Sequence, residues 1–226
     1  MAAVVKDGPE GVRPAPQART RRTRAAVVAA ARELFLERGY AVTTIEAISE
    51  LSDTPQPTVY RLFGSKLGIL QAVLDISIAG DDEAVTMLDR PQVRSLVANP
   101  DPRATLAGFA ALVATLMVRT SPVHRVLEEA ARADQGAADA LAEIARQRHD
   151  GQRRVTRSLA RAGALRAGVK ERDAADIVHA LASPEVFRLL VNDRGWNPKR
   201  YEQWLSSILI EQLLPTSRKG RTNVTN

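Results

Sequence analysis

The chain contains no cysteine, only three histidines and few aromatic residues. Without cysteine there can be no disulfides and no thiolate chemistry, and three histidines leave few ligands for a metal site. Glycine-rich phosphate loops, zinc-ligand spacings and nucleophile motifs beside a histidine are also missing. We therefore expect a protein that is not an enzyme and needs no cofactor.

Long apolar segments are missing as well. No uninterrupted apolar run approaches the roughly eighteen residues of a transmembrane helix. The N-terminal sequence MAAVVKDGPEGVRPAP has no apolar segment of the kind that a signal peptide carries. These absences predict a soluble, cytoplasmic protein that does not enter a membrane.

Alanine, leucine and arginine are abundant, and no β-branched segment alternates with polar residues. This composition predicts an all-α fold. A chain of 226 residues is long enough for one or two domains with a sizeable core. Its formal net charge of +6 favours a polyanionic partner, although it would also suit a membrane surface.

Five arginines and no acidic residue lie between Arg13 and Arg24. One interpretation is a solvated start of a helix. Because cations at a helix N-terminus oppose the macrodipole, the other is a flexible basic arm on DNA phosphates or in the minor groove. That interpretation gives Arg21, Arg22 and Arg24 as DNA contacts. Residues 1–18, rich in glycine and proline, are predicted to be a disordered arm.

A first helix is predicted from about Thr23 to Arg38, where Gly39 ends it. Two short helices follow. Thr43 and Glu46 fit a capping box for a helix over about 44–51.

Thr54 and Pro55 fit the N-cap and first position of the next helix. The turn between the two short helices is formed by Ser52, Asp53 and Thr54. Such a pair of helices is typical of a helix-turn-helix, whose second helix enters the DNA major groove. A plain helical hairpin inside an α bundle is the alternative.

The rest of the chain predicts further helices. Ser65 caps one of them, and the segment from 80 to 102 is irregular with a single helical turn at 91–98. Asp101 and Pro102 start a helix to about 120 that is apolar over much of its circumference and should be central. Later helices are predicted over about 122–133, 136–162, 170–191 with a kink or split at Pro184, and 198–214. The last could pack on its own core or on a second subunit.

Several short motifs fall on these helices at fixed spacing. Leu-Phe and Arg-Gly-Tyr close the first helix, Thr-Thr opens the second, and Thr-Val-Tyr-Arg-x-Phe followed by Ser-Lys covers the third. Through them the run from Ala26 to Ala72 resembles the DNA-binding domain of the TetR family of bacterial transcriptional regulators. The resemblance implies a helix-turn-helix domain over 19–66, a larger helical regulatory and dimerisation domain over 67–215, and a flexible tail over 216–226.

The resemblance also implies a set of DNA contacts. Four residues lie where family members touch backbone phosphates: Thr43, Thr44, Tyr60 and Lys66. Four lie where base edges are usually reached: Gln56, Pro57, Thr58 and Arg61. In this turn Asp53, Thr54 and Pro55 replace the glycine, aliphatic residue and serine that are usual in the family, and a further proline follows at position 57. Since Asp53 stands where the family has glycine, it is expected to adopt a left-handed conformation.

By the same resemblance the chain is a ligand-responsive repressor that acts as a homodimer on a palindromic double-stranded operator. The dimer would form through the last two helices, about 170–192 and 198–214, with Pro184 and Trp196 shaping the interface. An unidentified small-molecule effector would bind within a candidate set that equally suits a plain core: Phe109, Val113, Met117, His124, Leu127, His149 and Phe187. A nonspecific architectural DNA-binding protein and a dimeric ligand-binding protein with a decayed helix-turn-helix are the alternatives.

Overall fold

The computed structural model describes residues 16–79 and 91–216, and within them all regular structure is helical. The helices are α1 Pro16–Val42, α2 Ile45–Leu51, α3 Gln56–Phe63, α4 Lys66–Ala79, α5 Pro91–Val97, α6 Pro102–Ala131, α7 Gln135–Arg161, α8 Glu171–Leu181, α9 Pro184–Phe187 and α10 Pro198–Leu213, with a π-helical turn at Arg188–Asp193. The predicted all-α class is confirmed. Apart from residue 216, the predicted tail over 216–226 lies outside the described residues.

The first helix begins about two turns earlier than predicted. It starts at Pro16, so residues 16–18 are helical; the rest of the predicted disordered arm, 1–15, lies outside the described residues. The arginines from Arg19 to Arg24 therefore belong to a helix and not to a flexible arm. Gly39 breaks the helix as predicted, with φ 80° and ψ 170°, a conformation open to glycine and hardly to other residues.

The N-cap predicted at Thr43 lies one residue later, and the predicted capping box of Thr43 with Glu46 does not form. Thr44 is the N-cap of α2, and its hydroxyl accepts a bond from the Ala47 amide at 3.1 Å. The Thr43 hydroxyl instead donates to the carbonyl oxygens of Gly39 at 2.8 Å and Leu34 at 3.2 Å. Thr43 therefore ties the start of α2 to the end of α1 and is not free to cap.

The predicted N-cap of α3 is also wrong. Pro55 occupies that position with φ −55° and ψ 137°, and α3 starts at Gln56. Thr54 is buried, and its hydroxyl donates to the Ser52 carbonyl at 3.1 Å. A second proline, Pro57, fits the first turn of α3 because amides there need no intrahelical acceptor.

Helix α6 is a single helix, whereas the sequence predicted a break at Ser121 and Pro122. Its start is as predicted, with Asp101 as the N-cap accepting from the Arg103 amide at 2.9 Å. Proline at 122 removes the amide that would bond the Val118 carbonyl. Val118 is 48% exposed, so water can reach that turn and the helix continues without this bond.

Other helix boundaries agree with the sequence. The Ser65 hydroxyl accepts from the third residue of α4 at 3.0 Å, and Asn197 caps α10 in the same way at 2.8 Å. The predicted split at Pro184 is confirmed, because Ser183 ends the α8 segment and caps α9 by accepting from the Val186 amide. The helical turn predicted at 91–98 is α5.

Two apolar cores lie side by side, and α6 runs through both. The first core is formed by α1, α2, α3 and α4 together with the second half of α6 and the start of α7. The second joins the first half of α6 with the end of α7, α8, α9 and α10. By length and composition α6 could cross a membrane, but its apolar side chains line these two cores. It is the central helix that the sequence predicted.

Candidate nucleic-acid interface

The turn between α2 and α3 is held by internal hydrogen bonds. Asp53 has a φ of 47°, the left-handed conformation predicted for it. The Ser49 hydroxyl donates to the Thr54 carbonyl at 2.6 Å, and the Thr54 amide bonds the Ser49 carbonyl at 3.0 Å. Since Thr54 is buried and Asp53 is exposed, the unusual residues of this turn are accommodated without opening it.

Helix α3 presents a polar surface to solvent. Its inner face is anchored by Val59, which is fully buried in the first core. Most predicted contact residues of this helix are exposed, and Thr58 is partly so: Gln56, Pro57, Thr58, Tyr60 and Arg61. Positions three and four apart share a helix face, so Tyr60 lies beside both Gln56 and Pro57, and Arg61 lies beside Pro57. An amide donor, a phenol and a guanidinium on one exposed face suit the edges and phosphates of a DNA groove.

The two threonines before α2 differ in exposure. Thr44 is exposed, and its hydroxyl caps α2. Thr43, also predicted to touch a phosphate, is 1% exposed, and both of its hydroxyl bonds are to backbone carbonyls of α1. Its role in the structure is therefore internal. Thr44 is the threonine that a phosphate could reach.

Lys66 was predicted to touch a phosphate, and its ammonium has internal partners. It donates to the carbonyl oxygens of Tyr40 at 2.8 Å and Thr43 at 2.9 Å, and it lies 4.3 Å from the centre of the Tyr40 ring. Burial lowers the pKa of Lys66, while the nearby Asp134 carboxylate acts in the opposite direction. The ammonium thus satisfies the carbonyls that end α1 and fixes α4 against them.

Arg24 is similarly engaged. Its guanidinium donates to the Leu62 carbonyl at 3.4 Å and lies 4.7 Å from the centre of the Phe63 ring. It therefore joins α1 to the end of α3. Arg21 and Arg22 are exposed on the first turns of α1. All three arginines predicted to touch DNA are exposed, and Arg24 alone of the three is held by these contacts to α3.

The helix-turn-helix lies in a segment that matches a known protein family. Residues 27–73, from the middle of α1 to the middle of α4, match the family of bacterial regulatory proteins called tetR. Residues 27–73 therefore belong to the tetR family, and they contain the helix-turn-helix described above. Among proteins with curated functions, none matches this chain in sequence.

The whole fold is similar to that of solved repressors of multidrug efflux pumps. NalD of Pseudomonas aeruginosa, the secondary repressor of the MexAB-OprM multidrug efflux pump, is 21% identical with a TM-score of 0.66, covering 87% of this chain and 98% of that one. SmeT of Stenotrophomonas maltophilia, the repressor of the multidrug efflux pump SmeDEF, is 19% identical with a TM-score of 0.62, covering 92% and 98%. A SmeT–triclosan complex gives a TM-score of 0.67 at 18% identity, covering 90% and 97%. The TM-scores establish that the fold is shared.

The residues predicted to bind an effector lie mostly in the two apolar cores. Phe109, Val113, Met117 and Phe187 belong to the second core, and Leu127 belongs to the first. Phe187 packs edge-on against the Tyr201 ring at 4.9 Å. The two clefts that the structure describes are lined by none of the predicted effector residues. These five residues are therefore packing residues in this conformation.

All three histidines of the chain take part in one polar cluster between α6, α7 and α8. His124 pairs with Glu128 at 3.2 Å, and the ring of His149 meets that of His179 at 5.0 Å. His179 Nδ1 lies 2.9 Å from the Gln152 side-chain oxygen. Burial lowers the pKa of both His124 and His179, so we expect both rings to be neutral at pH 7. This meeting of the rings was not predicted, because the separation of the three histidines along the chain follows no motif.

Arg148 completes this cluster and was not predicted. Its guanidinium donates to the carbonyls of His179 and Ala182, both at 3.3 Å, and so caps the end of α8. Burial lowers the pKa of Arg148, and Glu185 acts against that shift. Over the described ranges, no group of three or more potential ligands could hold a metal ion. The cluster thus serves to join α7 to α8.

Proposed function

We propose that this chain is a sequence-specific transcriptional repressor that binds a palindromic operator as a homodimer and responds to a small-molecule effector. The observation that carries the proposal is the exposed face of α3, with Gln56, Tyr60 and Arg61 held outward by buried Val59. Gln can pair with adenine and Arg with guanine in the major groove. NalD and SmeT, which share the fold, are repressors.

The contacts divide into two groups. Gln56, Pro57, Thr58 and Arg61 would read base edges, whereas Thr44 and Tyr60 would bind phosphates and fix the register. The exposed arginines at the start of α1, Arg21 and Arg22, would add phosphate contacts. Thr43 and Lys66 are omitted because their polar groups are already bonded within the domain. Arg24 is omitted because its guanidinium is placed against the end of α3 by the Leu62 carbonyl and the Phe63 ring.

The dimer is proposed to form through the α8–α9 region and α10. Leu189 is 50% exposed, and several apolar side chains of these segments are partly buried: Ile177, Leu190, Val191, Trp204 and Ile208. An apolar surface of this kind favours association with a second copy. Trp196 is braced by Arg200, whose guanidinium lies 4.1 Å from its ring centre, and by Trp204. A two-fold dimer would place two α3 helices on half-sites about one helical turn or more apart.

The first test is selection of duplexes from a random pool by the purified chain at about 150 mM salt, where weak electrostatic binding is strongly screened. A palindrome is expected, and its half-site spacing would report the dimer geometry. Recovery of no preferred sequence would contradict the proposal. Binding that then persists at low salt would indicate an architectural protein, and no binding at all would indicate a decayed helix-turn-helix.

The second test uses Arg61→Ala on the selected operator. Loss of a bidentate contact to guanine should cost about 1–3 kcal/mol and relax the preference at one position of each half-site. Arg38→Ala is the control, because Arg38 is exposed on α1 beside Glu37 and outside α3. If Arg61→Ala keeps both the affinity and the preference, Arg61 reads no base.

A further inference from the structure

A cleft of about 330 Å³ lies between α1, α4 and α6, where the DNA-binding domain meets the rest of the chain. This volume is in the range of small-molecule sites. Most of its wall is apolar and comes from α1 and α4: Ala25, Val28, Ala29, Val73 and Ile76. The polar side chains are Arg32, Ser77 and Arg119. No acidic side chain is among the lining residues that the structure describes.

Arg119 is the polar group of greatest interest in this cleft. Its Nη2 donates to the Ile78 carbonyl at 3.2 Å. Its Nε is buried and has no hydrogen-bond partner. A buried N–H of a charged group that lacks an acceptor is costly and uncommon in native proteins. Arg119, which lines the cleft, is therefore a guanidinium whose hydrogen-bonding capacity is not exhausted by its bonds within the protein.

The other polar groups favour an anion. Arg32, on the α1 side, adds a second positive charge. The Ser77 hydroxyl donates to the Val73 carbonyl at 2.8 Å, so its proton is already used. A cationic ligand would meet two guanidinium groups, and a neutral apolar one would leave the Arg119 donor unsatisfied. A carboxylate with an apolar body would pair its charge with the guanidinium groups and pack its apolar part against the apolar side chains of the cleft.

We propose that this cleft binds a small amphipathic carboxylate, with its oxygens on Arg119 and its apolar part against the alanine and valine wall. The site lies beside α4, which continues from the helix-turn-helix into the larger domain. A ligand that binds with different affinity to two arrangements of α1, α4 and α6 must shift the balance between them. This regulatory consequence rests on the proposed function, whereas binding itself does not.

Binding is tested by calorimetry on the full chain without DNA, with decanoate as the probe and decanol as a neutral probe of the same length. We expect saturable binding of decanoate, with affinity falling about fourfold for each methylene removed from the probe. Arg119→Leu should weaken decanoate binding at least about tenfold, the loss expected for a charge-assisted contact. Decanol should bind the unaltered chain at least about tenfold more weakly than decanoate, because it has no carboxylate to pair with Arg119.

Arg125→Leu is the matched control, because Arg125 is exposed on the same helix and does not line the cleft. A second variant, Ala29→Leu, fills the cleft from α1 and should also abolish binding. Thermal melting checks that each variant is folded. Absence of saturable binding, equal loss in Arg119→Leu and Arg125→Leu, or full binding in Ala29→Leu would overturn the site.

Operator affinity is then measured with and without decanoate. A change in affinity that Arg119→Leu removes supports regulation through the cleft. Decanoate that binds but leaves operator affinity unchanged overturns the regulatory role. A chain that binds decanoate and selects no duplex would contradict the function proposed above, while the binding assignment would stand.

Discussion

Tyr201 is fully buried in the second core, and its hydroxyl has no hydrogen-bond partner. Its ring is well packed, edge-on against Phe187 at 4.9 Å and tilted against Trp204 at 5.9 Å. Burial raises the pKa of this phenol, which therefore stays neutral. The ring stabilises the core, whereas the hydroxyl carries an uncompensated cost of desolvation.

Replacing Tyr201 by phenylalanine should therefore leave the fold intact and raise the free energy of unfolding by up to about 1–3 kcal/mol. Tyr201→Ala removes the ring and should lower it by about 3–5 kcal/mol. Denaturant unfolding measures both changes. If Tyr201→Phe were destabilising by more than a few tenths of a kcal/mol, the hydroxyl must have a partner that this conformation does not show.

At the scale of elements, the DNA-binding domain is held together by charged side chains that bond backbone carbonyls. Lys66 at the start of α4 bonds the end of α1, and Arg24 in α1 bonds the end of α3. Cations are favourable at helix C-termini because they meet unsatisfied carbonyls and the negative end of the macrodipole. Both residues were predicted as DNA contacts, and the structure gives each of them an internal role.

Lys66→Met distinguishes the internal role from a phosphate contact. Loss of the bonds to the Tyr40 and Thr43 carbonyls should lower the free energy of unfolding by about 1–3 kcal/mol. The salt dependence of operator binding should keep its slope, because no phosphate contact is lost. A true phosphate contact would instead reduce the slope by about one and leave stability nearly unchanged. Arg22→Met, on the exposed part of α1, is the comparison that should reduce the slope.

The junction of α3 and α4 depends on a glycine. A Cβ atom at Gly68 would lie 2.1 Å from the Phe63 carbonyl oxygen, which is a backbone atom and cannot move independently of α3. Glycine to alanine inside a helix normally stabilises it by about 1 kcal/mol. At Gly68 the clash should outweigh that gain and displace α3, the second helix of the helix-turn-helix.

We therefore expect Gly68→Ala to lower both the melting temperature and the operator affinity. Gln71→Ala, an exposed position on the same helix, should leave both nearly unchanged. Thermal unfolding and titration of the operator measure the two effects. A Gly68→Ala chain as stable as Gln71→Ala would show that α3 can shift at no cost.

For the whole molecule, local patterns predicted much of the fold. Asp101, Asn197 and Pro184 each marked a helix boundary correctly, because capping and proline geometry act within a few residues. Pro122 did not end a helix, since packing of α6 into two cores outweighs one lost hydrogen bond.

The site was less predictable than the fold. Tyr60 and Arg61 were predicted through the family resemblance, and both are exposed beside buried Val59 on α3. Burial of Thr43 and the bonds made by Lys66 depend on where α1 ends in space, which no local pattern encodes. Arg119 was missed for the same reason, since its cleft is formed by three helices distant in sequence.

The proposed dimer is the last property that belongs to the whole molecule. Leu189, on the π-helical turn after α9, is 50% exposed, and Val118 in the middle of α6 is 48% exposed. The two are matched in exposure and differ in location. If the C-terminal helices form the dimer, a charge at position 189 would be buried in an apolar interface and strongly disfavoured, whereas a charge at 118 would stay in water.

Leu189→Glu should therefore shift the chain from dimer to monomer in sedimentation experiments and weaken operator binding by about 100-fold or more, because the two half-sites would no longer be bound by one linked particle. Val118→Glu should remain dimeric with unchanged operator affinity. If instead Val118→Glu dissociates the dimer and Leu189→Glu does not, the two subunits meet through α6, and the distance between the recognition helices must be set there.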